Sequence, residues 1–178
     1  MIYKTLDDII EHDVDENMYV TKSYCEKQKY LKNSLKRCCT VDGEDVYIFK
    51  DKIKPPQILK IKRTEEEKRR RKLYGESGIK FGQGKYVDVT GDGYSNTLTT
   101  FSTDNFLWDR NFRIRPLTDT ECFLLMGVDN DDTKKIINNV PKSKCRKLAG
   151  NSICVNVLSE IFRKMFIDVD ENPEISLF

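Results

Sequence analysis

Residues 147–162 read KLAGNSICVNVLSEIF and join a polar turn to a strongly amphipathic segment. Large apolar residues recur every four positions through this segment, at Ile153, Val157, Ile161 and Met165. This spacing places them on one face of a helix, so we predict a helix over 152–166 that begins at the Gly-Asn-Ser turn. A face of this kind requires a partner surface, and the question is where the chain provides one.

The composition indicates one domain or one and a half. Charged residues make up 34% of the 178 and apolar residues 38%, so the chain can form a core of modest size. No apolar run approaches the roughly 18 residues of a membrane-spanning helix, and no secretory signal is visible at the N-terminus. The six cysteines form no Cys-x-x-Cys pair and His12 is the one histidine, which argues against a metal site. We expect reduced thiols in a cytoplasmic protein.

The net charge of +2 conceals a strong polarity along the chain. Residues 1–20 hold one Lys against six acids, a net of −5, and residues 87–178 hold 11 bases against 14 acids, a net of −3. Residues 21–86 hold 19 Lys and Arg against nine Asp and Glu, a net of +10. Two explanations remain open for this basic middle third: a polyanion partner such as nucleic acid, or a solvated, lysine-rich surface.

Hydrophobic periodicity and turn residues predict a mixed α+β chain. Helices are predicted over 5–11, 21–37, 118–127, 131–139 and 142–149, besides the one at 152–166. Strands are predicted over 46–50, 57–63, 85–89, 95–101, 105–109 and 111–115. The charge run at 65–72 is either helical or mobile: its order of acids first and bases last suits a helix dipole, but a solvated connector is expected. The helix at 118–127 has the sharpest signal, because Thr118 and Glu121 form a capping box and Gly127 stands where the helix should end. Its buried side is predicted to carry Cys122, Leu125 and Met126.

Two stretches of this sequence resemble motifs of the DNA cytosine-5 methyltransferases. RPLTDTECFLLMG at 115–127 resembles their R-x-L-T-x-x-E…M-G block, and KLAGNSICVNVL at 147–158 resembles their final K-x-x-G-N-S-x-x-V-x-V-L block, in matching order and separation. Upstream, LDDIIEHDVDENMYVT resembles the segment after the family's Q-x-R-x-R block. GQGKY and SNTLTT resemble the glycine-rich loop and Thr-Leu strand of its target-recognition domain. The resemblance covers residues 1–167, and it departs from the family at 128–130 and at Cys145, where aromatic residues are common.

The resemblance implies a division of the chain into three parts. Residues 1–20 would connect to a catalytic domain and residues 21–116 would form the target-recognition domain. Residues 117–178 would be helices that complete a Rossmann-like, S-adenosylmethionine-dependent methyltransferase domain supplied by another chain. The family's Pro-Cys nucleophile, Glu-Asn-Val block and glycine-rich cofactor loop do not occur in the sequence, and no cysteine follows a proline. By family topology these parts precede residue 1, so no catalytic residue is expected on this chain.

The resemblance also implies sites for the cofactor and for DNA. Asn151 and Ser152 would border the S-adenosylmethionine pocket, although an ordinary helix N-cap explains the same turn. Gln83 in the Gly-Gln-Gly loop would hold open the space left by a flipped cytosine, and Thr97 and Thr99 would line the DNA groove. Four basic residues are candidates for contacts with phosphates or base edges: Lys80, Lys85, Arg110 and Arg113. For each of these DNA-binding candidates an ordinary surface position remains the alternative.

The leading hypothesis is the C-terminal part of a cytosine-5 DNA methyltransferase, which transfers methyl from S-adenosylmethionine to C5 of cytosine in a specific duplex sequence. Its partners would be double-stranded DNA and an N-terminal chain that carries the catalytic cysteine. The alternative is a catalytically inactive DNA-binding remnant of a truncated gene. Without a partner chain, the helix at 152–166 would leave apolar side chains in water or bury them by self-association.

Overall fold

The computed structural model describes residues 5–50, 54–74, 84–89, 95, 98–100 and 105–167. The helices are α1 (Lys22–Lys27), α2 (Lys29–Ser34), α3 (Glu65–Tyr74), α4 (Asp119–Leu125), α5 (Asn130–Asn139), α6 (Lys142–Asn151) and α7 (Val155–Phe166). The strands are β1 (Leu35–Val41), β2 (Glu44–Phe49), β3 (Gln57–Arg63), β4 (Lys85–Val89), β5 (Asn105–Trp108) and β6 (Ile114–Pro116). Short 3-10 helices at Leu6–Asp8 and Glu16–Met18 precede α1. The predicted α+β class is confirmed.

An antiparallel sheet in the order β4-β3-β5-β6 forms the middle layer. Successive side chains of a strand point to opposite faces, so each strand contributes to two cores. Leu59 and Ile61 pack on one face with residues of α1, α2 and the β1–β2 hairpin. Ile58 and Leu107 pack on the other face with residues of α4 and α6. The sheet therefore separates the basic N-terminal helices from the C-terminal helices.

The β1–β2 hairpin is fastened to the sheet by two aromatic side chains. Its turn at Asp42-Gly43 has positive φ at both residues, 50° and 86°, as a two-residue hairpin turn requires. The Trp108 indole Nε1 donates a hydrogen bond to the Tyr47 carbonyl oxygen at 3.0 Å. The Tyr47 hydroxyl in turn donates to the Val20 carbonyl oxygen at 2.6 Å. Both rings are buried, so the hairpin is part of the first core.

Several element predictions differ from the structure. The helix predicted over 21–37 is wrong in its second half, since α2 ends at Ser34 and the chain turns into β1, where antiparallel pairing with β2 replaces helical hydrogen bonds. Of the two alternatives for the charge run at 65–72, the helix forms, as α3, and its described side chains other than Glu67 are exposed. Within the predicted strand at 95–101, the described residues Ser95 and 98–100 are not in a strand. The strands at 57–63 and 85–89 are confirmed residue for residue.

Helix α4 begins as predicted, with Thr118 as N-cap in a capping box with Glu121. Gly127, with φ +80°, follows its end. Its buried side differs from the prediction: Glu121, Cys122, Phe123 and Leu124 are buried, while Leu125 and Met126 are only half-buried. Helices α5 and α6 pack against α4, and together they cover the second core.

Candidate functional site

A buried ion pair joins the end of β6 to the start of α4. The Arg115 guanidinium and the Glu121 carboxylate are 1% and 0% exposed, and they meet in a two-pronged contact at 2.8 and 2.6 Å. Each Glu121 oxygen also accepts a backbone N–H, one from Thr118 at 2.8 Å and one from Glu11 at 2.9 Å. Arg115 also donates to the Glu11 carbonyl oxygen at 3.0 Å. The pair, which we call the Arg115–Glu121 clamp, therefore holds three separate chain segments together.

The electrostatics of the clamp favour its charged form. Burial lowers the pKa of the Arg115 guanidinium, but the hydrogen bonds and charge of Glu121 outweigh this effect, and the net shift of the pKa is upward. The four hydrogen-bond partners of the Glu121 oxygens described above are all donors, which is the arrangement that a carboxylate requires. The clamp is therefore a charged structural centre.

The two motif blocks meet where α4 ends and α7 begins. The Val155 backbone N–H donates to the Met126 carbonyl oxygen at 2.9 Å. A Cβ placed on Gly127 would lie 3.3 Å from the Asn156 side chain, so the glycine permits this close approach. The blocks at 115–127 and 147–158 thus form one continuous piece of structure, although about twenty residues of α5 and α6 lie between them in sequence.

The Gly-Asn-Ser turn lies at the end of a helix and not at the start of one. Gly150 and Asn151 form the last turn of α6, and Ser152 is its C-cap, with its hydroxyl donating to the Ala149 carbonyl oxygen at 2.8 Å. The predicted helix start at 152 is therefore wrong, since α7 begins at Val155. The turn therefore does not offer a ligand the free N–H groups of a helix N-terminus. The Asn151 and Ser152 side chains are nevertheless exposed, next to the first turn of α7.

Gly150 has a packing role that the sequence did not reveal. A Cβ at this position would lie 2.7 Å from the Thr99 carbonyl carbon and 2.8 Å from the Thr100 nitrogen. Contacts this short do not occur, so only glycine lets the backbone at 99–100 cross the last turn of α6. The crossing brings Thr99, a predicted DNA contact, next to Asn151 and Ser152, the predicted cofactor contacts.

Helix α7 presents its apolar face outward. No side chain of this helix is buried, and every residue of it is described. Between about half and two thirds of the residue surface is exposed at Ile153 (66%), just before the helix, and at four residues within it: Val157 54%, Ile161 47%, Phe162 49% and Met165 46%. A shallow groove of about 310 Å³ runs along the helix between Asn156 and Lys164. The amphipathic pattern of the sequence is therefore present as a helix, with its apolar side against solvent.

The predicted DNA-binding residues fall into three groups. Gln83, Thr97 and Lys80 lie outside the described residues. Lys85 is half-exposed and lies over the Tyr30 ring, with 5.8 Å from Nζ to the ring centroid. The Arg110 side chain is 64% exposed and pairs with Asp7 at 2.8 Å. A surface pair of this kind contributes about 0–1 kcal/mol, so Arg110 can exchange it for another anion.

Arg113 has a different environment from the other candidates. Its side chain is 9% exposed, and its guanidinium contacts the carboxylates of Glu16 and Glu44. The guanidinium carbon also lies 3.5 Å from the centroid of the Tyr19 ring, a cation–π contact. These partners account for its charge within the chain, so the expectation of an open, DNA-facing Arg113 does not agree with the geometry. The physical reason is that Arg113, the residue before β6, directs its guanidinium to Glu16 in the 3-10 helix at Glu16–Met18.

The buried cysteines are unsuited to nucleophilic chemistry. All six cysteines are free. Burial raises the pKa of the Cys122 thiol to about 11 and that of Cys25 to about 12, so both are protonated at neutral pH. Burial also raises the pKa of Cys145. Among the described residues there is no cluster of three His, Cys, Asp or Glu with the geometry of a metal site. None of the described helices has the length and apolarity to cross a membrane.

Comparison with known proteins shows the family of the chain. The model of the C-5 cytosine-specific DNA methylase family matches residues 1–167. The chain belongs to this family. It is 42% identical over 55 residues to the orphan methyltransferase M.Rho11sI of Bacillus phage rho11s, and equally to M.SPRI of Bacillus phage SPR. Each match covers 30% of this chain but only 11% and 12% of the two relatives. No solved structure matches the chain.

Within this DNA methylase family the methyl donor is S-adenosylmethionine. The two blocks that carried the resemblance contain the Arg115–Glu121 clamp and the contact between Met126 and Val155. Sequence inspection identified the clamp residues as part of a motif but not as an ion pair. The one available signal was the capping box, which fixed the position of Glu121. The Glu11 contact lies 110 residues away in sequence and has no local signature.

Proposed function

We propose that the chain is the C-terminal, target-recognition portion of a cytosine-5 DNA methyltransferase. In this proposal residues 21–116 recognise a duplex sequence. Residues 117–178 complete a Rossmann-like methyltransferase domain, the rest of which is on a segment or partner chain outside this sequence, and residues 1–20 connect the two. The reaction is methyl transfer from S-adenosylmethionine to C5 of cytosine.

The observation that carries the proposal is the outward apolar face of α7. The N-terminal end of the helix is attached through Val155, while Val157 and Ile161 belong to neither core of the described residues and are about half exposed. Full burial of one such side chain contributes about 1.5–3 kcal/mol, so several together favour association with an apolar surface. A parallel sheet is such a surface, since crossover helices cover its faces.

The catalytic cysteine is assigned to the segment or partner chain outside this sequence. The family chemistry requires a cysteine after a proline, and no cysteine in this sequence has that neighbour. The raised pKa values of Cys25 and Cys122 leave both thiols protonated at neutral pH, which is opposite to what an attacking thiolate requires. The cysteine that adds to the cytosine ring is therefore expected on the partner.

Asn151 and Ser152 are the residues that would border the cofactor. The Asn151 amide is exposed and forms no hydrogen bond within the described part of the chain. The Ser152 hydroxyl donates to Ala149 but retains lone pairs that can accept a hydrogen bond. Both side chains therefore fit a polar ligand, and they stand at the base of α7, next to the face that would meet the partner. When bound, the cofactor would supply the methyl group.

On the DNA side, Lys85 and Arg110 are the described candidates for contacts with phosphates or base edges. Both are on the surface, and neither is held in a buried pair. Extrusion of a cytosine costs a few kcal/mol of stacking and pairing, and a polar side chain such as Gln83 would hold the vacated space open. Thr97 and Thr99 would line the groove. We omit Arg113, because Glu16, Glu44 and Tyr19 already surround its guanidinium.

The proposal is tested by a complementation assay. Transfer of labelled methyl groups to duplex DNA is measured for this chain alone, for the segment that carries the Pro-Cys and Glu-Asn-Val blocks alone, and for both together. We expect activity only from the mixture. Activity of the chain alone would refute the assignment of the nucleophile to a partner.

The alternative function predicts a different outcome of the same assay. A catalytically inactive DNA-binding remnant would bind duplex DNA but would remain without methyl transfer in every mixture. An Ile161→Asp variant provides the matched control, since it should abolish complementation without changing DNA binding by the recognition domain. If this variant still assembled and methylated DNA, the role given to α7 would be wrong.

A further inference from the structure

The charge run EEEKRRRK at 65–72 forms a helix, α3, that is exposed on the surface of the protein. Of the side chains that are described in α3, Glu67 alone is buried, at 3% exposure, and it packs against Gly84. The apolar Leu73 is 68% exposed, so burial of apolar surface does not explain why the helix forms here. The helix is instead stabilised by acids in its first turn and bases beyond it, which suits the helix dipole.

Two basic side chains of α3, Arg69 and Lys72, lie on the side of the helix away from the buried Glu67. A helix turns by about 100° per residue, which places Lys72 and Arg69 about 140° and 200° around the axis from Glu67. Lys68 pairs with Glu65 within the helix. Among the described residues no carboxylate forms an ion pair with Arg69, Arg70 or Lys72, and all three side chains are exposed. These three charges are therefore available to a partner.

Two further cations lie beside the start of α3. Arg63 at the end of β3 is the register partner of Lys85 at the start of β4. The adjoining residues are tied together, since the Thr64 backbone N–H donates to the Gly84 carbonyl oxygen at 2.7 Å. Like charges directly opposite each other in a sheet are destabilising unless an anion compensates them. An anion bound at this corner, beside the start of α3, would relieve the repulsion between the two cations.

We propose that Arg63, Lys85, Arg69, Arg70 and Lys72 form a basic anchor that binds the phosphates of duplex DNA. This inference rests on the proposed function and adds a second contact surface to it. Arg69 and Lys72 are separated by a rise of about 4.5 Å along α3. Phosphates follow each other at about 3.4 Å of axis per strand, so the anchor reaches two or three of them. Such contacts fix the position of the duplex and carry no sequence information.

The anchor is tested by the salt dependence of DNA binding. The full chain and the variant Arg69→Gln/Arg70→Gln/Lys72→Gln are titrated with a fluorescent duplex between about 50 and 200 mM KCl. Each lost phosphate contact lowers the slope of log K against log salt by about 0.9, so we expect a decrease of roughly 2–3. The affinity near 100 mM KCl should fall on the order of 10-fold to 100-fold, equally for duplexes of different sequence.

Two controls separate the anchor from a general charge effect. The variant Lys134→Gln/Lys142→Gln/Lys144→Gln changes three exposed lysines of α5 and α6 and lowers the net charge by the same amount, and it should keep the wild-type slope. The variant Arg69→Lys/Arg70→Lys retains both charges and should also bind as the wild type does. Circular dichroism of each variant verifies the fold.

The possible outcomes distinguish the two proposals. An α3 variant with the wild-type slope, or a control triple variant with an equal loss, would overturn the anchor while leaving DNA binding by the chain intact. Absence of duplex binding by the wild-type chain at the lowest salt concentration would overturn the DNA-binding part of the proposed function together with the anchor. A selective loss in the α3 variant supports the anchor.

Discussion

The substitution Glu121→Gln tests whether the Arg115–Glu121 clamp stabilises the chain. Gln has the same shape as Glu, but one of its two terminal atoms is an NH₂ group that can only donate. The Glu121 oxygens accept from four donors: Arg115 Nη1 at 2.8 Å, Arg115 Nη2 at 2.6 Å, Thr118 N at 2.8 Å and Glu11 N at 2.9 Å. Whichever way the amide is turned, its NH₂ group meets two donors and leaves them without an acceptor.

The expected cost follows from burial. Removal of one charge from a fully buried ion pair costs about 3–5 kcal/mol, because the remaining guanidinium has no counter-charge. The two donors that lose their acceptor add to this in the same direction. The exposures of 1% and 0% leave no solvent to compensate. Since domains of this size have unfolding free energies of about 5–15 kcal/mol, the variant should lose at least about a fifth of its stability.

The free energy of unfolding is measured by urea denaturation, followed by circular dichroism. Asp7→Asn is the matched control, since the Asp7–Arg110 pair also joins the N-terminal segment to the body but is exposed. We expect a change of less than about 1 kcal/mol in the control. If Glu121→Gln cost no more than the control, the clamp would not be the buried, charged contact described here.

Three further predictions concern other parts of the structure. Val157→Asp should change the free energy of unfolding by less than about 0.5 kcal/mol, because the side chain is exposed, yet abolish methyl transfer in the complementation assay. Gly150→Ala should destabilise the chain by about 1–3 kcal/mol in urea, because its Cβ would lie 2.7 Å from the Thr99 backbone; unchanged stability would contradict that crossing. The hydrogen bond from Arg113 lowers the pKa of Glu16 below 4.5. The Glu16–Arg113 pair therefore contributes to the free energy of unfolding above pH 4.5, and this contribution is lost as pH falls through the lowered pKa. Unfolding of wild type and Glu16→Gln at different pH should therefore converge in acid, and a difference that persisted would contradict this pairing.

The elements that the sequence predicted well are those with a local signal. The strand at 57–63 combines apolar alternation with a preceding Pro-Pro turn, and the helix at 118–127 has its own capping box. The β1 strand was missed because its residues are compatible with continuing α2, and its pairing with β2 decides the outcome. The start of α7 was misplaced for a related reason: a backbone crossing at Thr99 fixes the role of Gly150, and no local pattern encodes that crossing.

The site residues show the same division. Asn151 and Ser152 could be selected from a motif, but their position at the end of α6 could not. Arg113 was selected because it is a basic residue in a strand near the recognition region. Its partners Glu16 and Glu44 lie 97 and 69 residues away, so only the folded chain shows that its charge is already neutralised.

The string KLAGNSICVNVLSEIF combines residues with opposite requirements. Ala149 is buried and Gly150 must remain without a side chain, so these two attach the end of α6 to the rest of the fold. From Asn151 onward no residue of the string is buried, and the Val155 backbone N–H donates to the Met126 carbonyl oxygen at the start of α7. A helix that is positioned by backbone contacts at its start, with its apolar face free, is prepared for a surface that completes it. Because the clamp and the Gly150 crossing do not use that face, the proposed recognition region should fold whether or not the proposed catalytic partner is bound.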